Sequence, residues 1–153
     1  MTFLILSVLS LMNKEKIFST LNSCGTITIN KVKVYKNGKF TGRYKFQEIL
    51  TFNSVKQEPL LEFSFFFPKK IYKTKTNYKL TYVGLSAVKV LKEALPFLKN
   101  EKKISAAKII LKLHEHKNCS KQHAPNERYV FRNNLREQLL NYLNDSGQFV
   151  NDA

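Results

Sequence analysis

Between Phe40 and Phe52 the chain alternates with a period of two: Tyr44, Phe46, Leu50 and Phe52 are apolar, while Arg43, Lys45 and Gln47 are polar. Successive side chains on a strand point to opposite faces, so this pattern demands a strand with one buried face and one wet face. Asn37-Gly38 precedes it, the dipeptide favoured by a two-residue hairpin turn whose central residues need positive φ. Before the turn, TITINKVKVY alternates too. Ile27 and Ile29 share one parity and Val32 and Val34 the other, which predicts a bulge at Asn30 and Lys31. A hairpin of this kind is not stable alone and needs helices to cover its apolar side.

The flanking segments supply them. Lys14 to Cys24 reads as a helix closed by Gly25, a residue suited to a left-handed C-cap. Glu58 to Phe67 (EPLLEFSFFF) fits a short helix or a buried strand, and Pro59 in a first turn favours the helix. Lys69 to Thr76 and Tyr78 to Val83 form a second hairpin around Asn77, with Tyr72, Tyr78, Leu80 and Tyr82 on one parity and Lys73, Lys75, Lys79 and Thr81 on the other. Helices follow over Ser86 to Leu95, Lys102 to His116 and Glu127 to Leu143, the last carrying a core stripe of Leu135, Leu139, Leu140 and Leu143. The order of elements predicts an α+β fold in which helices cover one face of an antiparallel sheet. No repeat or Pro/Gly/Ser linker divides the chain. Residues 1–13 read as an apolar N-terminal extension, 14–118 as the principal domain and 119–153 as a C-terminal helix and tail.

The wet face of that sheet is basic. Of 153 residues, 26 are Lys or Arg and 11 are Asp or Glu, a formal charge of +15. With 43% hydrophobic residues the chain has the apolar mass to fold, which excludes a charged disordered tail. Strand parity places Lys31, Lys33, Arg43, Lys45, Gln47, Lys73, Lys75, Lys79 and Thr81 on one face, where Lys and Arg serve phosphates and guanine edges and Gln pairs with adenine. Arg128, Arg132 and Arg136, spaced four apart on one helix, are placed for phosphate contacts as well. A solvated sheet face, its charge raised by the Lys, Asn and Ile bias of AT-rich coding, explains the same residues without a ligand. Two cysteines, Cys24 and Cys119, make no disulfide framework and point to a reducing compartment. Met1 to Met12 is apolar but lacks both a signal-peptide charge pattern and the length of a membrane span. It reads as a helix start packed on the core or a partner, or as the product of a mis-assigned start codon.

Two segments add a family resemblance. Ile17 to Ile29 (IFSTLNSCGTITI) resembles the helix-then-strand signature of the LAGLIDADG homing endonucleases, and Leu95 to Leu113 (LPFLKNEKKISAAKIILKL) is similar to that family's stretch leading into a long helix. The resemblance covers about residues 14–115 and points to the single-motif, homodimeric kind encoded in introns of plastids and mitochondria. It implies an αββαββα fold with a four-stranded DNA-binding sheet, a homodimer, and Mg-dependent site-specific cleavage of double-stranded DNA. Aligned on Gly25, the family's small helix positions, where two subunits cross, fall on Ser19 and Ser23. Its metal-binding acids fall on Asn22 and Cys24, its water-ordering residue on Gln57 or, in another alignment, Lys56, and its site lysine on Lys102 or Lys103.

The substitutions matter because magnesium prefers hard oxygen ligands: a thiol is a poor substitute and an amide brings no charge. Asp145 and Asp152 are the only aspartates in the chain, and Glu15 lies two helical turns from Cys24. The expectation is therefore a nucleic-acid-binding protein with an impaired cleavage site and no resident metal other than Mg if cleavage is retained. The alternatives are an RNA-binding cofactor of intron splicing and a generic basic interaction module. His114, His116, Cys119 and His123 cluster within ten residues, but their irregular spacing argues for a polar helix end rather than zinc.

Overall fold

The protein, described by a computed structural model over residues 14–119 and 125–145, is α+β. A first helix, α1 (residues 14–24), runs directly into β1 (Gly25–Lys36), which turns into β2 (Lys39–Ser54). Then come α2 (Glu58–Phe66), a two-residue β3 (Tyr72–Lys73), β4 (Tyr78–Val83), α3 (Leu85–Ala94), a 3₁₀ turn (Leu95–Phe97), α4 (Glu101–Cys119) and α5 (Pro125–Asp145). The four strands form one antiparallel sheet in the order β1-β2-β4-β3. The expected apolar extension, His123 and the C-terminal tail lie outside the described residues.

The sheet buries one face under the helices. Ile27 and Ile29 of β1, Phe46, Leu50 and Phe52 of β2, and Leu80 and Tyr82 of β4 are buried there against Ile17, Phe18 and Leu21 of α1, Leu91 of α3, Ile110 and Leu113 of α4, and Leu135 and Leu139 of α5. α2 is a helix, as Pro59 in its first turn implied. Its Phe63 packs tilted against Phe52 with ring centroids 4.4 Å apart, and Phe67 just beyond it accepts a hydrogen bond from the Tyr82 hydroxyl, whose ionisation burial suppresses. Asn100 starts α4 by accepting from the backbone N–H groups of Lys102 and Lys103 at 2.8 and 3.3 Å, an N-cap that satisfies otherwise orphaned donors.

Two local expectations are corrected. Gly25 is not a left-handed cap, since it is absent from the positive-φ positions; it is required because a Cβ there would lie 2.7 Å from the Leu21 carbonyl oxygen. Gly25 is thus the point at which the helix turns into the strand at contact distance. The bulge is not at Asn30 and Lys31, which pair in register with Gln47 and Phe46. Instead Lys33 faces Tyr44 and Tyr35 faces Phe40, so Thr41–Arg43 opposes the single residue Val34, with Gly42 at φ 78°. Two extra residues leave the alternation of side chains unchanged. Val32 and Val34 therefore stay on the face opposite Ile27 and Ile29, away from the helices, and are exposed. The expected turn is present, with Asn37 at φ 54° and Gly38 at φ 78°.

One ion pair lies inside this packing. Glu48, 1% exposed on the helix-covered face of β2, accepts from the Lys117 ammonium of α4 through both oxygens, at 2.9 and 3.2 Å. Removing the cation strands a desolvated carboxylate. Lys117→Ala is expected to cost about 3 kcal/mol in urea unfolding, while the pair Glu48→Leu with Lys117→Met costs far less. Equal losses for the two would show that the pair is not what the site requires. Gly25→Ala is expected to cost about 1–3 kcal/mol through the clash with Leu21, read as a lower unfolding midpoint at unchanged slope.

Candidate nucleic-acid interface and motif site

The open face of the sheet follows from the register. Directly opposed residues share a face, so four rows can be written across the strands: Asn30 and Gln47; Thr28, Ile49 and Val83; Thr26, Thr51 and Thr81; Asn53, Lys79 and Tyr72. Val32 and Lys45 extend it toward the hairpin tip. No acidic residue occurs in these rows, and Glu48 points the other way, into the core. Lys45, Lys79, Asn30, Asn53 and Tyr72 are exposed, and Gln47, Thr51 and Thr81 half-buried. A twisted antiparallel ribbon bearing amides, hydroxyls, two ammonium groups and the methyls of Val32 and Val83 can contact base edges, thymine methyls and phosphates.

The predicted basic face is only partly assembled. Lys45, Gln47, Lys79 and Thr81 are on the open face, Lys75 is exposed in the β3–β4 turn, and Arg43 is exposed in the β2 bulge. Lys31, Lys33 and Lys73 are on the opposite face, because they pair with Phe46, Tyr44 and Tyr78. Lys31 bonds the Tyr129 hydroxyl of α5 and sits over the rings of Tyr44 and Tyr129, while Lys33 lies over Phe40 and Lys73 over Tyr78. The difference comes from Val32 and Val34, whose apolar character suggests a change of parity, whereas β-branched residues suit exposed strand positions equally. Thr26, Thr28, Asn30, Thr51 and Asn53 carry no basic signal in the sequence; counting back from the Asn37-Gly38 turn sets Asn30 opposite Lys45, and because the bulge adds two residues that parity puts all five on the open face.

The C-terminal arginines are not a simple phosphate comb. Arg136 donates to the Ile29 carbonyl at 3.2 Å, and Arg132 donates to His116 Nδ1 at 3.3 Å. His116 itself stacks on Phe131 with centroids 4.1 Å apart, and Asn118 bonds His114, so these histidines serve α4–α5 packing and the end of α4. Among the described residues no group of three His, Cys, Asp or Glu side chains is placed to hold a metal.

At the end of α1 the motif positions come together in a way the sequence did not foresee. Asn22 clamps the chain before α4: its Nδ2 donates to the Phe97 carbonyl at 3.2 Å and its Oδ1 accepts from the Lys99 backbone N–H at 3.1 Å. Lys103 places its ammonium on the carbonyls of Leu21, at 2.9 Å, and Asn22, capping the negative end of α1. Burial lowers the Lys103 pKa, and the neighbouring Cys24 opposes that shift. Of the two lysines considered, Lys103 is the one at the motif, whereas Lys102 makes only a backbone contact, to Asn100. Gln57 and Lys56 are exposed in the turn before α2, where the Gln57 carbonyl accepts from Leu60 and Leu61. Tested against magnesium, this donor set does not fit. The one oxygen donor of Asn22 already accepts a hydrogen bond, Cys24 offers sulfur, and Lys103 adds positive charge.

The exposed face of α1 carries Ser19 and Ser23. Both hydroxyls fold back onto carbonyls of their own helix, Ser19 onto Lys16 and Ser23 onto Ser19 and Thr20. The result is a low-relief surface with its donors satisfied.

No protein-family model matches the chain, and no curated protein matches it. Solved structures do. The homing endonuclease I-CvuI, in complex with a DNA target, matches with a TM-score of 0.71 at 15% identity, over 86% of this chain and 82% of that one. The archaeal intron-encoded homing endonuclease I-Vdi141I, complexed with DNA, gives 0.67 at 11% identity over 86% and 84%. The LAGLIDADG homing endonuclease I-GzeII, in complex with a DNA target, gives 0.65 at 10% identity over 80% of this chain and 43% of that one. With the helix-to-strand junction at Gly25 and the β1-β2-β4-β3 sheet, these matches establish that the chain has the LAGLIDADG homing-endonuclease fold.

Proposed function

We propose that this protein binds double-stranded DNA through the open face of its sheet and cuts it poorly or not at all. The observation that carries the reading is the set of in-register rows on that face, which bear ammonium, amide, hydroxyl and methyl groups and no carboxylate. Asn30 and Gln47, side by side, are both side chains that pair bidentately with adenine, while Lys45, Lys75 and Lys79 supply charge to phosphates. Structural neighbours solved on DNA support the same partner. Intron-encoded neighbours support a comparable origin for this chain, with plastid or mitochondrion the compartment that the family resemblance and the AT-rich type of composition together favour.

The impaired cleavage follows from the donor chemistry at the end of α1. A divalent ion there must neutralise a phosphoryl transition state, and Cys24 with Asn22 brings no carboxylate to hold it. Dimerisation is part of the proposal: Ser19 and Ser23 give α1 a shallow face on which a second copy can cross closely, and two sheets would then span two half-sites.

Three measurements test this. Lys45→Ala and Lys75→Ala are each expected to weaken duplex binding and to reduce the salt slope by about one unit per phosphate contact removed, measured by anisotropy at several salt concentrations. Unchanged affinity at every concentration removes the groove-binding reading. Incubated with magnesium and its bound duplex, the unsubstituted chain should leave the DNA intact, and Cys24→Asp should bind divalent ions more tightly; efficient cleavage by the unsubstituted chain overturns the loss of chemistry. Ser19→Lys should convert a dimer to a monomer in sedimentation without lowering the unfolding midpoint.

A further inference from the structure

On the helix-covered side, away from the proposed duplex, α5 and the bulged end of the long hairpin line a half-open cavity of about 550 Å³. Its lining includes Arg43 from the β2 bulge, Arg128 and Arg132 one turn apart on α5, Tyr44, Tyr129 and Asn126. The bulge makes the site possible: Thr41–Arg43 carries two residues beyond the register, and this widened stretch of β2 lines the cavity with Arg43. Glu48, the buried carboxylate of β2, accepts from Lys117 through both oxygens and also acts on Arg132.

We propose that this cavity binds a phosphate group of a nucleic-acid strand separate from the duplex on the open face. Arg128 Nε is shielded from solvent and donates no hydrogen bond, an arrangement that leaves a strong donor unsatisfied unless an acceptor enters. Arg128 also lies close enough to Arg132 for the two charges to repel. The Arg132 pKa is lowered by burial first and by Arg128 second, with Glu48 acting in the opposite sense. A phosphate relieves both conditions at once, since planar guanidinium forks match its oxygens and its charge offsets theirs. Tyr44 and Tyr129, 5.7 Å apart between ring centroids, wall the cavity with rigid surface and keep it from being a mere patch of solvated charge. This goes beyond the duplex-binding proposal and uses different residues, so either can fail alone.

The test uses the full chain. Arginine side-chain Nε–Hε resonances are followed by NMR while inorganic phosphate is added, and a fluorescein-labelled single-stranded oligonucleotide is titrated into protein already saturated with duplex. Phosphate is expected to shift the Arg128 Nε–Hε signal, and the labelled strand to bind without displacing the duplex. Arg128→Gln should weaken the labelled strand about tenfold, the scale of one charged hydrogen bond lost, and leave duplex affinity unchanged. Lys45→Ala should do the reverse. Arg128→Lys, which keeps the charge but loses the fork, should bind the strand more weakly than the unsubstituted chain. Circular dichroism melting confirms that each variant folds. An Arg128 signal indifferent to phosphate, or strand affinity equal in Arg128→Gln and the unsubstituted protein, overturns the site. Phosphate binding with no strand binding overturns its assignment to nucleic acid, as does displacement of the duplex by the strand.

Discussion

The molecule depends on the continuous pairing of β1 with β2 from Gly25 opposite Phe52 down to Lys33 opposite Tyr44. A slip of β2 by one residue against β1 would turn Phe46, Leu50 and Phe52 out to solvent and Lys45, Gln47 and Asn53 toward the core. Both ends of the pairing are fixed by backbone requirements. At one end Gly25 lets the strand leave α1 against the Leu21 carbonyl; at the other Asn37 and Gly38 adopt the positive φ of a tight turn. Core and candidate interface are thus two readings of one register, and neither can be altered without the other.

The distribution of charge follows the same division. The open face holds ammonium groups with no acid among them, while the covered side mixes Glu48, Lys117, Lys31, Arg132 and Arg136 into the packing of α4 and α5 on the sheet. The excess positive charge of the chain therefore has two destinations. Part is presented to solvent in ordered rows, and part braces the C-terminal helices against the strands through carbonyls, rings and the Glu48 carboxylate.

Much of the fold was legible in the sequence because period-two alternation, Asn37-Gly38 and Pro59 are local signals with local causes. The expectation failed where the cause was tertiary. Val32 and Val34 look like core residues and are not, because they lie on the sheet face turned away from the helices; their apolar character points Lys31 and Lys33 to the wrong face. Lys73 was misplaced by extending one parity through a turn that breaks it. Cys24 and Asn22 were located by resemblance alone, and nothing local in the sequence indicated that Asn22 would bridge to Phe97 and Lys99, 75 and 77 positions away. The cavity beside α5 was invisible for the same reason, since its arginines come from segments far apart in the chain.

Lys103 gives the end of α1 a property of its own. Its ammonium is tethered and rests on the last carbonyls of the helix, where the backbone dipoles concentrate negative potential. The helix end therefore carries a covalently attached univalent cation. Any free cation drawn to that potential has to displace a competitor whose effective concentration dilution and chelation cannot lower, and which already sits at hydrogen-bonding distance.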